Sequence, residues 1–283
     1  MRKLPELKGL MCPRNAENVI YFSCDYDYFD RHGYALQQSI NRTVGFIHVH
    51  CHIINEGNID HILLKKLTEK FKFTYTYEDV DHQFYVDLPK NKHMMDEGIN
   101  IFQTGDLDYI ARRTYLASVR FVRMAEIFTN PQQRILQIDC DSILRTGFHL
   151  KDFIEVTSEV NIMPKPKEPQ IFIASALSPG IGSKGLEWRK MFSRELLKEF
   201  EKGCYWFIDQ HVLRQVMKDW KNLGNTYGEI PYEWNSWGIK KNNIFSTGKG
   251  NKKDGIRFKQ AQLRWLPQHW YDKIVVEIRN TDT

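Results

Sequence analysis

The chain contains no C-x-x-C pair, no apolar run approaching a membrane span, no low-complexity tract and no internal repeat. Each absence excludes a class of protein. The five cysteines, Cys12, Cys24, Cys51, Cys140 and Cys204, are odd in number and widely scattered, which excludes a zinc ribbon or a dithiol redox centre and predicts reduced, packed thiols. A spanning helix needs about 20 apolar residues, and none is present. Residues 1–17 lack the apolar stretch of a secretory signal, so a cytoplasmic protein is expected. Without a repeat or a flexible linker, the 283 residues are expected to form one domain with a sizeable core.

A hydrophobic content of 42% and an aromatic content of 13% mark a folded chain. The net charge of +5 is unevenly placed: residues 240–283 hold ten Lys/Arg against four Asp/Glu, and residues 1–239 hold 30 against 31. A basic tail of this kind either attracts phosphate-bearing ligands or nucleic acid, or is merely solvated.

The most informative segment is residues 134–144, an apolar strand that runs into Asp139 and Asp141. Side chains at i and i+2 leave an extended chain from one face, so two acids at a strand's exit can converge on one divalent cation. Mg²⁺ and Mn²⁺ favour oxygen ligands and keep positions open for substrate phosphates. A solvated strand-end turn is the competing reading. Hydrophobic patterning around this segment predicts strands at residues 19–24, 45–54 and 72–77 and helices near 32–41 and 60–71. Alternation of this kind is the pattern of a parallel sheet covered on both faces. Residues 79–106 are expected as a long loop, followed by a helix over 107–128, strands near 160–163 and 170–176, and a Gly/Ser/Pro loop at 178–185. Helices near 186–201 and 205–220 complete the predicted elements, and the last 60 residues are expected to be irregular.

Several short motifs lie in order along this frame. They are Phe22-Ser23-Cys24-Asp25-Tyr26-Asp27-Tyr28 after the first strand, Arg120-Phe121-Val122-Arg123-Met124-Ala125-Glu126 on the long helix, and Asp139-Cys140-Asp141. Asp209-Gln210, Trp234-Asn235 and the Gly248-Lys249-Gly250-Asn251-Lys252 loop follow. Together they resemble the GT-A nucleotide-sugar glycosyltransferases, most closely the retaining glycogenin-like and lipopolysaccharide galactosyltransferase-like group.

That resemblance implies an α/β, Rossmann-like GT-A fold with a mostly parallel sheet flanked by helices. It divides the chain into a nucleotide-sugar-binding half (19–145), a sugar and acceptor half (146–253) and a basic C-terminal extension (254–283). It implies Mn²⁺ or Mg²⁺ on Asp139 and Asp141, and Asp209 and Gln210 as catalytic residues. Phe22, Ser23, Cys24, Asp25, Asp27, Arg120, Cys140, Trp234, Asn235, Gly248, Lys249 and Lys252 are implied to bind the donor, a UDP-sugar. The register leaves Arg120 or Arg123 as the donor-contacting arginine, and Arg120 is the preferred match. Two departures stand out: the histidine that completes the family's metal shell is absent, with Phe245 near its place, and Ile173-Ala174-Ser175 replaces the family's Asn-x-Gly.

The reading that follows is metal-dependent transfer of a sugar, with retention, to an acceptor that is a glycan, a protein or a modified base in DNA. The alternatives are a nucleotidyltransferase, for which no Gly-rich signature occurs at the first strand, and a non-catalytic nucleic-acid-binding protein driven by the basic tail and its tryptophans.

Overall fold

The computed structural model describes residues 4–91, 93–96, 99–102, 106–165, 168–239, 242–248 and 255–266. After a short edge strand, β1 (Lys8–Gly9), the chain enters β2 (Asn18–Asp25). It turns through α1 (Tyr26–Tyr28) and a π-helical stretch (Phe29–Gly33) into α2 (Tyr34–Thr43). The pattern repeats as β3 (His48–Asn55), α3 (His61–Lys70) and β4 (Phe73–Asp79). Helix α4 (His82–Val86) and a hairpin of β5 (His93–Asp96) and β6 (Ile99–Phe102) lead to the long α5 (Leu107–Ile127). Next come β7 (Arg134–Ile138), β8 (Ser142–Leu144), α6 (Leu150–Thr157), β9 (Val160–Lys165) and β10 (Glu168–Pro179). Helices α7 (Gly182–Lys202) and α8 (Ile208–Asn222) precede three short strands, β11 (Gly228–Glu229), β12 (Ser236–Trp237) and β13 (Phe245–Thr247), and α9 (Ile256–Leu263).

Eight strands form one sheet in the order β1-β4-β3-β2-β7-β10-β9-β11. The run β4-β3-β2-β7 is parallel, whereas β10 is antiparallel to both β7 and β9. The chain moves outward from β2 to β4 and then returns to place β7 on the other side of β2. Such a reversal opens a crevice at the carboxyl ends of β2 and β7, where open α/β sheets take their ligands.

Alternation on β2 shows why both faces are covered. Val19 and Tyr21 enter the core beneath α5, α7 and α8, and Ile20, Phe22 and Cys24 enter the core beneath α2, α3 and α6. The face of β3 towards α5 is polar. His48 and His50 meet the Thr74 hydroxyl at 2.8 Å, and His50 and His52 meet the Thr76 hydroxyl at 3.2 and 3.1 Å. The chain of contacts continues from His52 to Glu78 at 3.8 Å. Cross-strand hydroxyls therefore partner both ring nitrogens of His50 and one each of His48 and His52, which lets three histidines sit where apolar side chains would be expected.

Where the structure departs from the sequence expectations, local hydrogen bonding explains the difference. The expected loop over 79–106 contains α4, capped by the Asp81 side chain, and the β5/β6 hairpin. The expected loop at 178–185 is instead the end of β10 and the first turn of α7. Gly180 and Gly182 supply the left-handed turn between them, with φ of 74° and 76°. The tail expected to be irregular contributes β12 and β13 to a small sheet with β8. No described helix is long and apolar enough to cross a membrane.

Candidate active site

Asp139 and Asp141 do not lie on an extended strand. β7 ends at Ile138, and the Ser142 N–H donates to the Asp139 carbonyl at 3.1 Å, closing a turn around Cys140 and Asp141. Strand alternation is therefore not what aligns the two acids. The turn does so, and both side chains line a cleft of about 530 Å³ at the β2/β7 reversal. The backbone of this turn is held on both sides, by Asp139 N–H donating to Ser175 O at 2.9 Å and Gly248 N–H donating to Asp141 O at 3.0 Å.

Each acid has its own partner. The Tyr28 hydroxyl, on the helical turn after β2, donates to Asp141 Oδ2 at 2.8 Å. Arg120 on α5 donates from Nη1 to Asp139 Oδ1 at 2.5 Å and from Nη2 to the Ala174 carbonyl at 2.9 Å, and its Nη2 lies 3.6 Å from Asp209 Oδ2. A single guanidinium therefore links the turn after β7, strand β10 and helix α8. Its fork of donors suits such a junction better than a lysine would. The Tyr21 hydroxyl donates to the Arg120 carbonyl at 3.0 Å, tying this turn of α5 to the sheet.

Asp209 sits in the first turn of α8, one residue past Ile208, and Phe207 rather than Asp209 occupies the N-cap position. Its Oδ1 accepts from the Gln210 N–H at 2.9 Å. Burial pushes the Asp209 carboxyl up to about 6, against the opposing pull of Arg120 and of the Gln210 N–H. Phe207 is the sole non-glycine residue with positive φ among those described, at 72°. An aromatic residue held there stores local strain, a feature that gathers at functional sites.

Of the remaining sequence-identified residues, Ser23, Cys24, Asp25, Cys140 and Gln210 also line the cleft. Burial holds the Asp25 carboxyl above its ordinary value, with the Tyr28 N–H and Arg112 opposing. Cys24 and Cys140 are buried beneath the floor with their sulfurs 3.1 Å apart. Phe22 lies in the core, stacked on Phe29, and Asp27 is exposed and accepts from Asn58. Trp234 packs against Phe148 behind the cleft. Asn235 is fully buried, accepts from Ser142 at 3.0 Å and from Thr247, and donates to the Ser175 carbonyl at 2.9 Å, so it braces the cleft wall. Lys249 and Lys252 lie outside the described residues, and Gly248 is present through its backbone contact with Asp141.

Several cleft residues escape the sequence reading. Tyr109, Arg112, Arg113, Leu116 and Ala117 join Arg120 in one stripe of α5 facing the cleft. Their i, i+3, i+4, i+7, i+8 and i+11 spacing is legible, but the same spacing describes any helix face. Trp206 and Phe207 add aromatic rings beside Gln210, and Arg113 lies 4.0 Å above the Trp206 ring.

Among the described residues no group of three His, Cys, Asp or Glu side chains is arranged to hold a metal ion. Phe245, near the place of the family's missing histidine, is fully buried. Asp139 and Asp141 fit a hard cation that takes its other ligands from water and substrate phosphates, as Mg²⁺ commonly does, and not a cation caged by protein alone.

No protein-family model matches the chain, and no curated protein matches it in sequence. Solved structures do match. The apo form of the glycosyltransferase GlyE from Streptococcus pneumoniae TIGR4 aligns with TM-score 0.53 and 14% identity over 94% of this chain and 64% of that one. The galactosyltransferase LgtC, in complex with donor and acceptor sugar analogs, aligns with TM-score 0.51 and 14% identity over 90% of this chain and 99% of that one. The apo structure of the bifunctional glycosyltransferase WbbM aligns with TM-score 0.55 and 12% identity over 92% of this chain and 51% of that one. The chain thus spans just under two thirds of GlyE and about half of WbbM. What these likenesses share with the chain is the GT-A fold.

Proposed function

We propose that the chain is a glycosyltransferase that takes a sugar from a nucleotide-sugar donor, UDP-linked, and passes it with retention to an acceptor hydroxyl. The observation that carries the reading is the junction at Arg120, which joins Asp139 of the turn after β7 to Asp209 of α8 in a cleft at the sheet's switch point. A nucleotidyltransferase would also use paired acids, but it has no evident need for a buried acid and an amide at the far wall of the cleft.

In this reading Ser23, Asp25 and the turn that follows β2 receive the nucleoside. Asp139 and Asp141 would hold Mn²⁺ or Mg²⁺, and the ion would supply positive charge to the departing diphosphate. Arg120 holds Asp139 and Asp209 at fixed positions with little freedom left to lose when substrates bind. Asp209 orients the sugar and the acceptor hydroxyl. Gln210, partly exposed at the cleft, places its side-chain amide against positive charge growing at the anomeric carbon. Positioning and fixed electrostatics then carry the rate, and no strong protein nucleophile is required.

The test is a panel of nucleotide sugars incubated with protein and Mn²⁺, read by nucleoside diphosphate release, with the Asp141→Asn variant beside the wild type. Loss of one well-placed electrostatic contact lowers turnover by about 10²- to 10³-fold. Wild-type turnover in Asp141→Asn, or pyrophosphate release in place of the diphosphate, rejects the reading.

A further inference from the structure

Three arginines of α5 line the cleft, and they are not equivalent. Arg120 is balanced by Asp139 and Asp209, and Arg112 by Glu56 and Asp25. Arg113 is exposed and forms no ion pair among the described residues. Its guanidinium lies 4.0 Å from the Trp206 ring centre and 5.8 Å from that of Tyr109. Tyr109 and Phe207, 55% and 41% exposed, add further open ring surface to the same cleft. Arg113 stands two helical turns from Arg120, about 10 Å along the axis, and so lies beyond the reacting centre and not at it.

A second cationic surface lies near Tyr28. Gln262 of α9 bonds His32 Nδ1 at 2.9 Å, and the His32 ring lies 4.6 Å from the ring of Tyr28, which holds Asp141. Helix α9 is therefore docked beside the cleft. It presents Arg257 and Arg264, both exposed and neither in an ion pair among the described residues, with Arg264 stacked 4.8 Å from the Trp265 ring. Uncompensated arginines stacked on indoles form flat cationic surfaces. A neutral glycan has no use for the charge. A single-stranded nucleic acid uses both parts, with phosphates against the guanidinium groups and bases against the rings.

We propose that the acceptor is a nucleobase-borne hydroxyl in single-stranded or locally unpaired nucleic acid, held by Arg113, Trp206 and Tyr109 and by α9. The proposal rests on the glycosyltransferase reading of the cleft for its chemistry. The hydroxyl oxygen would form the bond to the anomeric carbon as the bond to the donor diphosphate breaks, and its proton would leave with the diphosphate. Enzymes that act on bases must take them out of the stack, and an aromatic platform beside the reacting centre favours that state.

The test is fluorescence anisotropy of a fluorescein-labelled thymidine decanucleotide, over a range of salt, with wild type, Arg113→Gln, Trp206→Ala and an Arg257→Gln/Arg264→Gln double variant. Arg113→Gln is expected to reduce the slope of log affinity against log salt by about 0.7, the value for one phosphate contact on a single strand. Trp206→Ala is expected to weaken binding by about 5- to 150-fold through lost stacking. Circular dichroism melts of each variant separate these effects from unfolding. Unchanged affinity and slope in both Arg113→Gln and the double variant overturn the proposal, as does a labelled hyaluronan hexasaccharide that binds where the decanucleotide does not. Thermal stabilisation of the wild type by UDP with Mn²⁺ is read separately. Its absence counts against the transferase reading and leaves the nucleic-acid result standing.

Discussion

Arg120 and Arg123 stand one turn apart on α5, are both almost fully buried, and serve different ends. Arg120 faces the cleft and touches Asp139, Asp209 and the Ala174 carbonyl, groups brought together from three separate elements. Arg123 faces the core. It donates from Nε to Glu78 at 2.7 Å and also from Nη2, pairs with Glu126, and donates to the Pro5 carbonyl at 2.6 Å, while Tyr115 donates to the other oxygen of Glu78 at 2.6 Å. Glu78 in turn ends the His-Thr ladder of β3 and β4. One arginine therefore joins a fully buried Glu78 to Glu126, whose side chain is 44% exposed but does not line the cleft. The other holds acids at the wall of a cleft, where Asp139 keeps 27% of its side chain exposed. The contrast separates the two ion pairs by place: the carboxylates paired with Arg120 line the cleft, and those paired with Arg123 do not.

The largest expected effect breaks the core member of the pair. Arg123→Met leaves Glu78 buried with its main countercharge gone, and loss of one partner of a buried pair costs about 3–5 kcal/mol. Urea denaturation should show that loss, while transfer per folded molecule stays near wild type. An Arg123→Met protein that is as stable as wild type but inactive would reverse the assignment of the two arginines.

Arg120→Gln is expected to do the opposite. Transfer should fall by about 10²- to 10³-fold, equivalent to roughly 2.7–4 kcal/mol of transition-state stabilisation. Destabilisation should be smaller than in Arg123→Met, because Asp139 can turn to solvent. Steady-state rates and melts of the two variants measured together decide the matter, and equal stability losses would remove the distinction.

The smallest effect sharpens the comparison by pH. With Asp209 held at about 6, kcat/KM should rise with pH through that value as the carboxylate forms. Arg120 lowers that value against the larger effect of burial, so the limb should move to higher pH in Arg120→Gln and stay in place in Arg123→Met. The core network titrates in the other sense. Burial pushes His48 down to about 4, and lowers His50 and His52 as well, from an ordinary value of 6.5. Below 6.5 the unfolded chain binds more protons than the folded one, so stability should fall as pH drops from 6.5 towards 4. Denaturation midpoints across that window that do not change would show that the ladder is not held neutral.

Much of the parallel half of the fold was legible because its strands carry their signal locally. The apolar run at 19–24 marks a strand buried on both faces, and the alternation of aromatic and threonine side chains at 73–77 marks a strand by its period of two. The strand at 45–54 was blurred by His48, His50 and His52, whose burial depends on Thr74 and Thr76 of another strand. Asp139, Asp141, Asp209 and Gln210 stood out as motifs, yet the reason first given for the aspartate pair, alternation along a strand, belongs to a different geometry from the turn that places them. Tyr28 lay within the motif after the first strand, and Trp206 just ahead of Asp209-Gln210, without standing out as site residues, and Arg113 carried no mark. Their position in the cleft follows from how α1, α5 and α8 approach one another.

The sequence by itself determined the strand–helix alternation from β2 to β4, the covered parallel sheet and the placing of paired acids after a central strand, because hydrophobic periodicity and turn chemistry act over a few residues. Only the tertiary structure decided which arginine of α5 serves the cleft. A helix turns 100° per residue, so Arg120 and Arg123 point about 60° apart around the axis. Nothing in Arg-Phe-Val-Arg states which side the sheet lies on, and that was settled when α5 packed across β2 with the Tyr21 hydroxyl fixing the Arg120 carbonyl.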